Sequence, residues 1–195
     1  MNKSKFLLLH IFNSNKIMEN KRKTIYGNAM YIALYIGGAN IILALLFWAI
    51  NLSSTSIGQY LTYFILLFGI IIGTVAFRNN QLGGSITYGK AFTSGLLISV
   101  FTSIILGFFA FVLFKFIDPA ILEEVKELGV NKMLESNPNL TEEQIDMASS
   151  FYTPGWMTFF SIVGNILVGL LLSLIAAVFL KKTDNSFDNK FKDVQ

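Results

Sequence analysis

The chain has 195 residues, of which 53% are hydrophobic and 14% are charged, and its formal net charge is +3. Soluble domains carry about 25% charged residues, so this composition indicates a membrane protein, and the length leaves room for one domain. The absence of cysteine excludes disulfides, thiolate metal sites and thiol nucleophiles.

Residues 1–26 precede the first long apolar stretch and are predicted to form a cytoplasmic tail. Lys3, Lys5 and a short apolar run imitate a signal peptide, but no small-residue cleavage site follows the run. We therefore expect residues 1–17 to be a disordered extension or a misassigned start, and whether translation begins at Met1 or Met18 stays open. A short amphipathic stretch on the membrane surface is the alternative.

Four long apolar stretches follow, at residues 27–50, 60–77, 91–117 and 156–180, and they carry charge only near their ends. About 20 helical residues, rising roughly 1.5 Å each, cross a hydrocarbon core of about 30 Å. A soluble helix of that length would show a polar face. The predicted fold class is therefore all-α, an integral membrane four-helix bundle formed by residues 27–182.

Basic residues are segregated along the chain, and their positions predict the topology. Residues 1–26, 78–90 and 181–195 are rich in lysine and arginine, whereas residues 118–155 carry eight acidic residues against Lys126 and Lys132. Lysine and arginine near span ends stay cytoplasmic. Both termini, including the tail 183–195, are thus predicted to be cytoplasmic. The same segregation argues against nucleic acid as a partner and leaves membrane lipid.

Small residues recur within the stretches at a spacing of four, a pattern typical of close helix packing in lipid. The packing candidates are Gly69, Gly73, Gly95, Ser99, Ser103, Gly107, Ser161, Asn165, Gly169 and Ser173. Packing within one chain is the first interpretation of these ridges. A homodimer face is the alternative, which leaves a homo-oligomer open.

Ionisable residues are missing from the middle of every stretch, where only Asn40 and Asn165 are strongly polar. Proton relays and intramembrane hydrolases require such groups, and the lone His10 lies in the doubtful extension. The two asparagines are interpreted as hydrogen-bonding glue between helices. The sequence thus predicts a protein that is not an enzyme and has no cofactor or metal.

Residues 118–155 predict an extracytoplasmic helical hairpin between spans 3 and 4. Asp118 and Pro119 form a helix start, and Thr141 with Gln144 forms a capping box for a second helix. Each helix has one apolar side, which must be buried against the bundle or against a protein partner; we favour the partner. The acidic side is interpreted as a solvated surface, with a cation site as the alternative.

A glycine-rich connection precedes the third stretch and carries the most specific pattern. Its marked residues, with a later pair, are Gly83, Gly84, Tyr88, Gly89, Ala91, Phe92, Asp118 and Pro119. Over about residues 26–182 the chain resembles the bacterial membrane proteins grouped as domain of unknown function 4199. The resemblance implies a four-span inner-membrane protein and supplies no established activity.

Read from its residues alone, the connection is a structural re-entry turn in which Ser85 or Thr87 caps the third helix. A docking site for a cytoplasmic partner is the alternative. Two functions stay open for the whole chain. The first is a non-enzymatic envelope scaffold or an accessory or regulatory subunit, and the second is a small oligomeric transporter or channel component.

Overall fold

The structure is a computed structural model that describes the backbone of residues 3–50 and 56–182 and the side chains of residues 25–50 and 57–182. This part of the chain is all-α, as predicted. Its six α-helices are α1 (Lys3–Ala49), α2 (Ser56–Gln81), α3 (Tyr88–Val112), α4 (Ala120–Ser136), α5 (Glu142–Ser149) and α6 (Pro154–Leu180). The predicted tail 183–195 lies outside the described residues.

Four of the helices are long and apolar enough to cross a membrane, which confirms the predicted membrane bundle. The candidate spans are Ile25–Ala49, Ile57–Gln81, Tyr88–Ile117 and Pro154–Leu180. Most of these bounds extend beyond the predicted ones because helical hydrogen bonding continues into the polar flanks, where hydropathy alone gives no signal. The third span ends in a π-helical turn at Leu113–Ile117.

The first helix begins well before its apolar part. α1 starts at Lys3 and continues without a break into the first span. The expectation that residues 1–17 are a disordered extension or a misassigned start stays a prediction. Residues 3–26 contain neither glycine nor proline, so the polar stretch before the span has no strong helix breaker. Whether translation starts at Met1 or Met18 stays a prediction.

The third helix lies at the centre of the bundle. α3 packs most extensively against α6 and next against α1, while α2 contacts α1, α3 and α6. An apolar cluster that includes Ile36, Ile70 and Ile98 fills the space between the spans. Buried beside it are small hydroxyl residues, among them Ser99 and Ser173. Since lipid tails are as apolar as leucine, this small and weakly polar interior is what distinguishes the inside from the outside.

The segment between α3 and α6 holds the two short helices α4 and α5. Asp118 Oδ1 accepts a hydrogen bond from the Ala120 N–H at the start of α4. The N-cap position itself is occupied by Pro119, one residue later than the helix start predicted from Asp118 and Pro119. Thr141 and Gln144 form the predicted capping box at the start of α5. α4 and α5 contact each other. The extracytoplasmic position of this segment stays a prediction.

Candidate functional site

The predicted small-residue ridges lie mostly at helix contacts. A Cβ atom added to Gly95 would lie 2.8 Å from Ser173 Oγ, and one added to Gly169 would collide with Ser99. Gly107 faces Ile162 in the same way. The ridges of α3 and α6 therefore face each other, and Ser99, Ser103 and Ser173 are buried between them.

The glycines of α2 allow side chains of α1 and α3 to pack closely against this helix. Gly69 lies against Ile36 of α1, and a Cβ at Gly73 would lie 2.7 Å from Ile98 Cδ1 of α3. Ile32 Cγ2 would be 2.9 Å from the same Cβ. Side chains from two neighbouring helices thus lie over the surface that these two glycines leave free.

The hydrogen bonds of the two predicted asparagines differ from the expected bonds between helices. Asn40 donates to the Ile36 carbonyl and Asn165 to Ser161 Oγ, both within their own helices. Ser99, Ser103 and Ser173 likewise donate to carbonyls one turn earlier. A short polar side chain on a span reaches its own helix backbone more readily than a neighbouring helix.

One asparagine that the sequence analysis passed over does join two spans. Asn28 Nδ2 donates to the Gly73 carbonyl over 3.2 Å, linking α1 to α2. Gly73 has no side chain to cover its carbonyl, which leaves that oxygen accessible to the neighbouring helix. The spacing pattern marked Gly73, but nothing in the sequence paired it with Asn28.

The glycine-rich connection folds as a compact turn tied to the end of α6. Gly83 and Gly84 have φ angles of 67° and 90°, and the Gly84 N–H closes the end of α2 on the Arg78 carbonyl at 3.0 Å. Ile86 and Lys182 then exchange two backbone hydrogen bonds of 2.8 and 2.9 Å. This arrangement supports the interpretation as a structural re-entry turn.

The other residues of that connection have varied surroundings. Ala91 and Ile86 are buried with Phe77 and Ala177, Phe92 is half-buried against this cluster, and Tyr88, Gly89 and Lys90 are exposed. Thr87 occupies the N-cap of α3, but its side chain makes no capping hydrogen bond. Of the two capping candidates, Thr87 therefore occupies the N-cap position of α3, but its side chain does not form a capping hydrogen bond.

A large cavity lies at the opposite end of the bundle from this turn. Its volume is about 1180 Å³, and it is partly open to the outside. The ends of α1, α2 and α6 line one side, and the segment after α3 lines the other. Much of its wall is apolar, including Phe47, Trp48, Phe114 and Phe160. This cavity is the candidate functional site. It does not follow from any single stretch of sequence because five helices contribute to it.

The apolar sides of α4 and α5 form the outer wall of the cavity. Ile121, Val125 and Leu128 of α4 line it together with Met147 and Ala148 of α5. The side that we expected to bury against a partner therefore faces the cavity and, across it, the ends of the spans. Leu128, Met147 and Phe151 remain substantially exposed along this wall.

Two contacts position the outer wall. Trp48 Nε1 at the end of α1 donates to Asp118 Oδ2 over 2.9 Å, at the point where the π-helical turn ends. Gly129 in the middle of α4 lies directly against the Tyr152 ring, where a Cβ would collide with the hydroxyl. Glycine inside a helix usually weakens it. Here it also allows Tyr152, in the connection between α5 and α6, to lie against α4.

The polar groups of the cavity are few. Lys132 is the single charged residue among the described residues that line it, and its ammonium takes part in no ion pair in that part of the chain. The acidic residues Glu123, Glu127 and Glu135 are exposed and are not part of the wall. The cavity therefore combines apolar walls with one positive charge.

A narrower fissure continues from the cavity between α2 and α6. The fissure has a volume of about 360 Å³ and shares Gln59, Thr62, Phe160 and Ser161 with the cavity. Asn165 lies at its far side, so Ser161 and Asn165 line this opening rather than a tight helix contact. Tyr63 accepts a hydrogen bond from Gln59 at 3.0 Å, and Asn165 donates to Ser161 Oγ. Both hydroxyl hydrogens remain available as donors.

Comparison with known proteins assigns the chain to a family. The sequence model described as Protein of unknown function (DUF4199) matches residues 31–182, a range that ends at the lysine paired with Ile86. This match confirms the resemblance seen in the sequence. No curated protein and no solved structure matches the chain.

Proposed function

The chain belongs to the DUF4199 family of proteins of unknown function, and we propose that it is a non-enzymatic accessory or regulatory protein of the bacterial inner membrane. Its action depends on a guest molecule held between the α4–α5 segment and the ends of the spans. The observation that carries this proposal is the cavity of about 1180 Å³ with the apolar sides of α4 and α5 on its outer wall.

The size and lining of the cavity support binding of a large apolar or amphipathic molecule. Binding pockets for drug-sized ligands have volumes of roughly 300–1,000 Å³ and mostly apolar walls with a few polar groups. This cavity exceeds that range and has a similar lining. A guest that fills it would complete the burial of Leu128, Met147 and Phe151, which are otherwise left partly exposed.

The Trp48–Asp118 hydrogen bond suggests how binding of a guest could change the surface that other proteins contact. It joins the end of α1 to the start of the outer wall, beside the π-helical turn. Such turns are frequent at functional sites. A guest that moves α4 also moves the acidic surface on its solvent side, which is the surface offered to a partner.

The test is native mass spectrometry of the full chain extracted from its own membrane in mild detergent. We expect a bound molecule of defined mass on the wild type. Ala44→Phe fills the cavity from α1, and Ala148→Phe fills it from α5, so both should lose the bound molecule. Ala39→Phe adds the same bulk to an exposed position of α1 and should keep it.

Two measurements make the outcome decisive. Circular dichroism establishes that each variant retains its helix content, so that loss of the guest is not loss of the fold. Absence of a bound molecule from the wild type, or equal retention by Ala39→Phe and both cavity variants, would contradict the proposal.

A further inference from the structure

We propose that the guest is an anionic phospholipid taken from the surrounding leaflet, with its phosphate at Lys132 and its acyl chains against the apolar wall of the cavity. This inference rests on the proposed function, because it names the class of molecule that occupies the same cavity. Three features of the described residues support it independently.

The first feature is charge. Among the described residues, Lys132 is the charged residue of the cavity wall and is itself exposed, whereas Glu123, Glu127 and Glu135 do not line that wall. Lys126, on the same helix, is instead 3.8 Å from Glu123 and does not line the cavity. A lysine ammonium is a compact charge that binds phosphate readily. The group that complements this wall is therefore an anion.

The second feature is the apolar wall. Phe47, Phe114 and Phe160 line the cavity from the ends of the spans, and Leu128 and Met147 line it from α4 and α5. Leu128 and Met147 are otherwise left exposed. The acyl chains of a lipid in the cavity would cover this apolar surface and remove it from water, which favours binding.

The third feature is the polarity of the junction between cavity and fissure. Tyr63 and Ser161 each accept a hydrogen bond within their own helix and keep a hydroxyl hydrogen to donate. Phospholipids carry ester carbonyls between phosphate and acyl chains, and these oxygens accept hydrogen bonds. The site thus offers a cation, hydroxyl donors and an apolar wall, which match the phosphate, the ester groups and the acyl chains of a phospholipid.

The experiment exchanges the full chain into nanodiscs that contain equal amounts of phosphatidylglycerol and phosphatidylcholine, and then measures the retained lipid by native mass spectrometry. One lysine near an anionic group contributes about 1 kcal/mol, which corresponds to roughly a fivefold preference for phosphatidylglycerol. Lys132→Met should abolish this preference and keep total retention. Lys126→Met, the matched control on the same helix, should leave the preference unchanged.

The outcomes separate the two proposals. Equal retention of both lipids by the wild type, with loss of both in Ala44→Phe, overturns the anionic phospholipid and leaves the proposed function standing. Retention of added oleate in place of phosphatidylglycerol overturns the phospholipid in favour of a free fatty acid. Failure to retain any of these lipids while a different guest co-purifies from the native membrane has the same effect. If nothing is retained from either source, both proposals fail.

Discussion

At Gly169 the absence of a side chain allows two spans to approach until α6 lies directly against Ser99 of α3. A Cβ at this position would collide with the Ser99 Cβ, which is fixed to the backbone of α3, so relief requires a shift of a helix backbone. In lipid, close packing of this kind is a main source of helix association. The spacing of four in the sequence identified Gly169 as a packing candidate, but it could not identify Ser99 as the contact.

Gly169→Ala should therefore destabilise the bundle by about 1–3 kcal/mol, the range for forcing extra atoms into a packed interior. Gly164→Ala is the matched control in the same helix, since a Cβ there meets nothing within 4 Å. Thermal unfolding in detergent should show a lower melting temperature for the first variant alone. Equal melting temperatures for the two variants would contradict the α3–α6 contact.

Hydrogen bonding at the residue scale shows where sequence reasoning reaches its limit. The sequence correctly marked Asn40 as a polar residue inside a span, and the residue is buried. Its bond to the Ile36 carbonyl, however, lies within α1. The choice between an intrahelical and an interhelical partner depends on distances of a few tenths of an ångström. Hydropathy and spacing contain no information on such distances.

Gly129 of α4 is the point at which Tyr152, in the connection between α5 and α6, contacts this helix. Tyr152 lies against the helix at this glycine, and Gly129 is the residue that makes room for the ring. Two opposing effects follow from replacing it. Alanine favours the helix by about 1 kcal/mol over glycine, whereas its Cβ would displace Tyr152 from the outer wall of the cavity.

Gly129→Ala should thus open the wall without unfolding α4. Limited proteolysis of the detergent-solubilised chain should cut residues 137–153 faster in this variant than in the wild type, with the bundle spans still protected. The double variant Gly129→Ala, Tyr152→Ala should have the same helix content in α4 and α5 as Tyr152→Ala alone. It should also be no more sensitive to the protease than Tyr152→Ala alone. Additive effects of the two substitutions would show that the residues do not contact each other.

The turn between α2 and α3 couples two parts of the chain that are far apart in sequence. Its glycines and its position were evident from the sequence, and the interpretation as a turn followed from them. The pairing of Ile86 with Lys182 was not, because a single bridge between two short extended segments leaves no periodic pattern. The burial of Ile86 with Ala177 explains why the turn packs against α6.

Ile86→Ala should destabilise the bundle by about 2–4 kcal/mol, since Ile86 is only 3% exposed and its side chain packs into the cluster at the end of α6. Ile72→Ala provides the control, because Ile72 is 60% exposed on the outer surface of α2. Thermal unfolding of both variants in one detergent makes the comparison. A loss for Ile72→Ala as large as that for Ile86→Ala would show that the turn does not stabilise the fold.

The molecule as a whole has two unlike ends. One end carries the glycine turn, Arg78, Lys90 and the bridge at Lys182, and the other carries the cavity beneath α4 and α5. The spans and their number were predictable because the hydrocarbon core sets a length that hydropathy reveals directly. The cavity was not predictable because it lies between elements whose relative placement depends on side-chain packing.

The assignment of the cavity to the outer face of the membrane is the claim on which its proposed guest and partner surface depend. The chain contains no cysteine, so a single introduced cysteine is the only thiol that a maleimide can label. Asn139 lies in the exposed turn between α4 and α5, and Asn80 is exposed near the end of α2, beside the glycine turn. The two positions therefore report the two ends of the bundle.

Labelling of intact cells with a membrane-impermeant maleimide tests this claim most directly. Asn139→Cys should be labelled before the cells are broken, and Asn80→Cys should be labelled only afterwards. That result would place α4, α5 and the cavity outside and the basic turn inside. Labelling of Asn80→Cys in intact cells, with Asn139→Cys protected, would contradict the account.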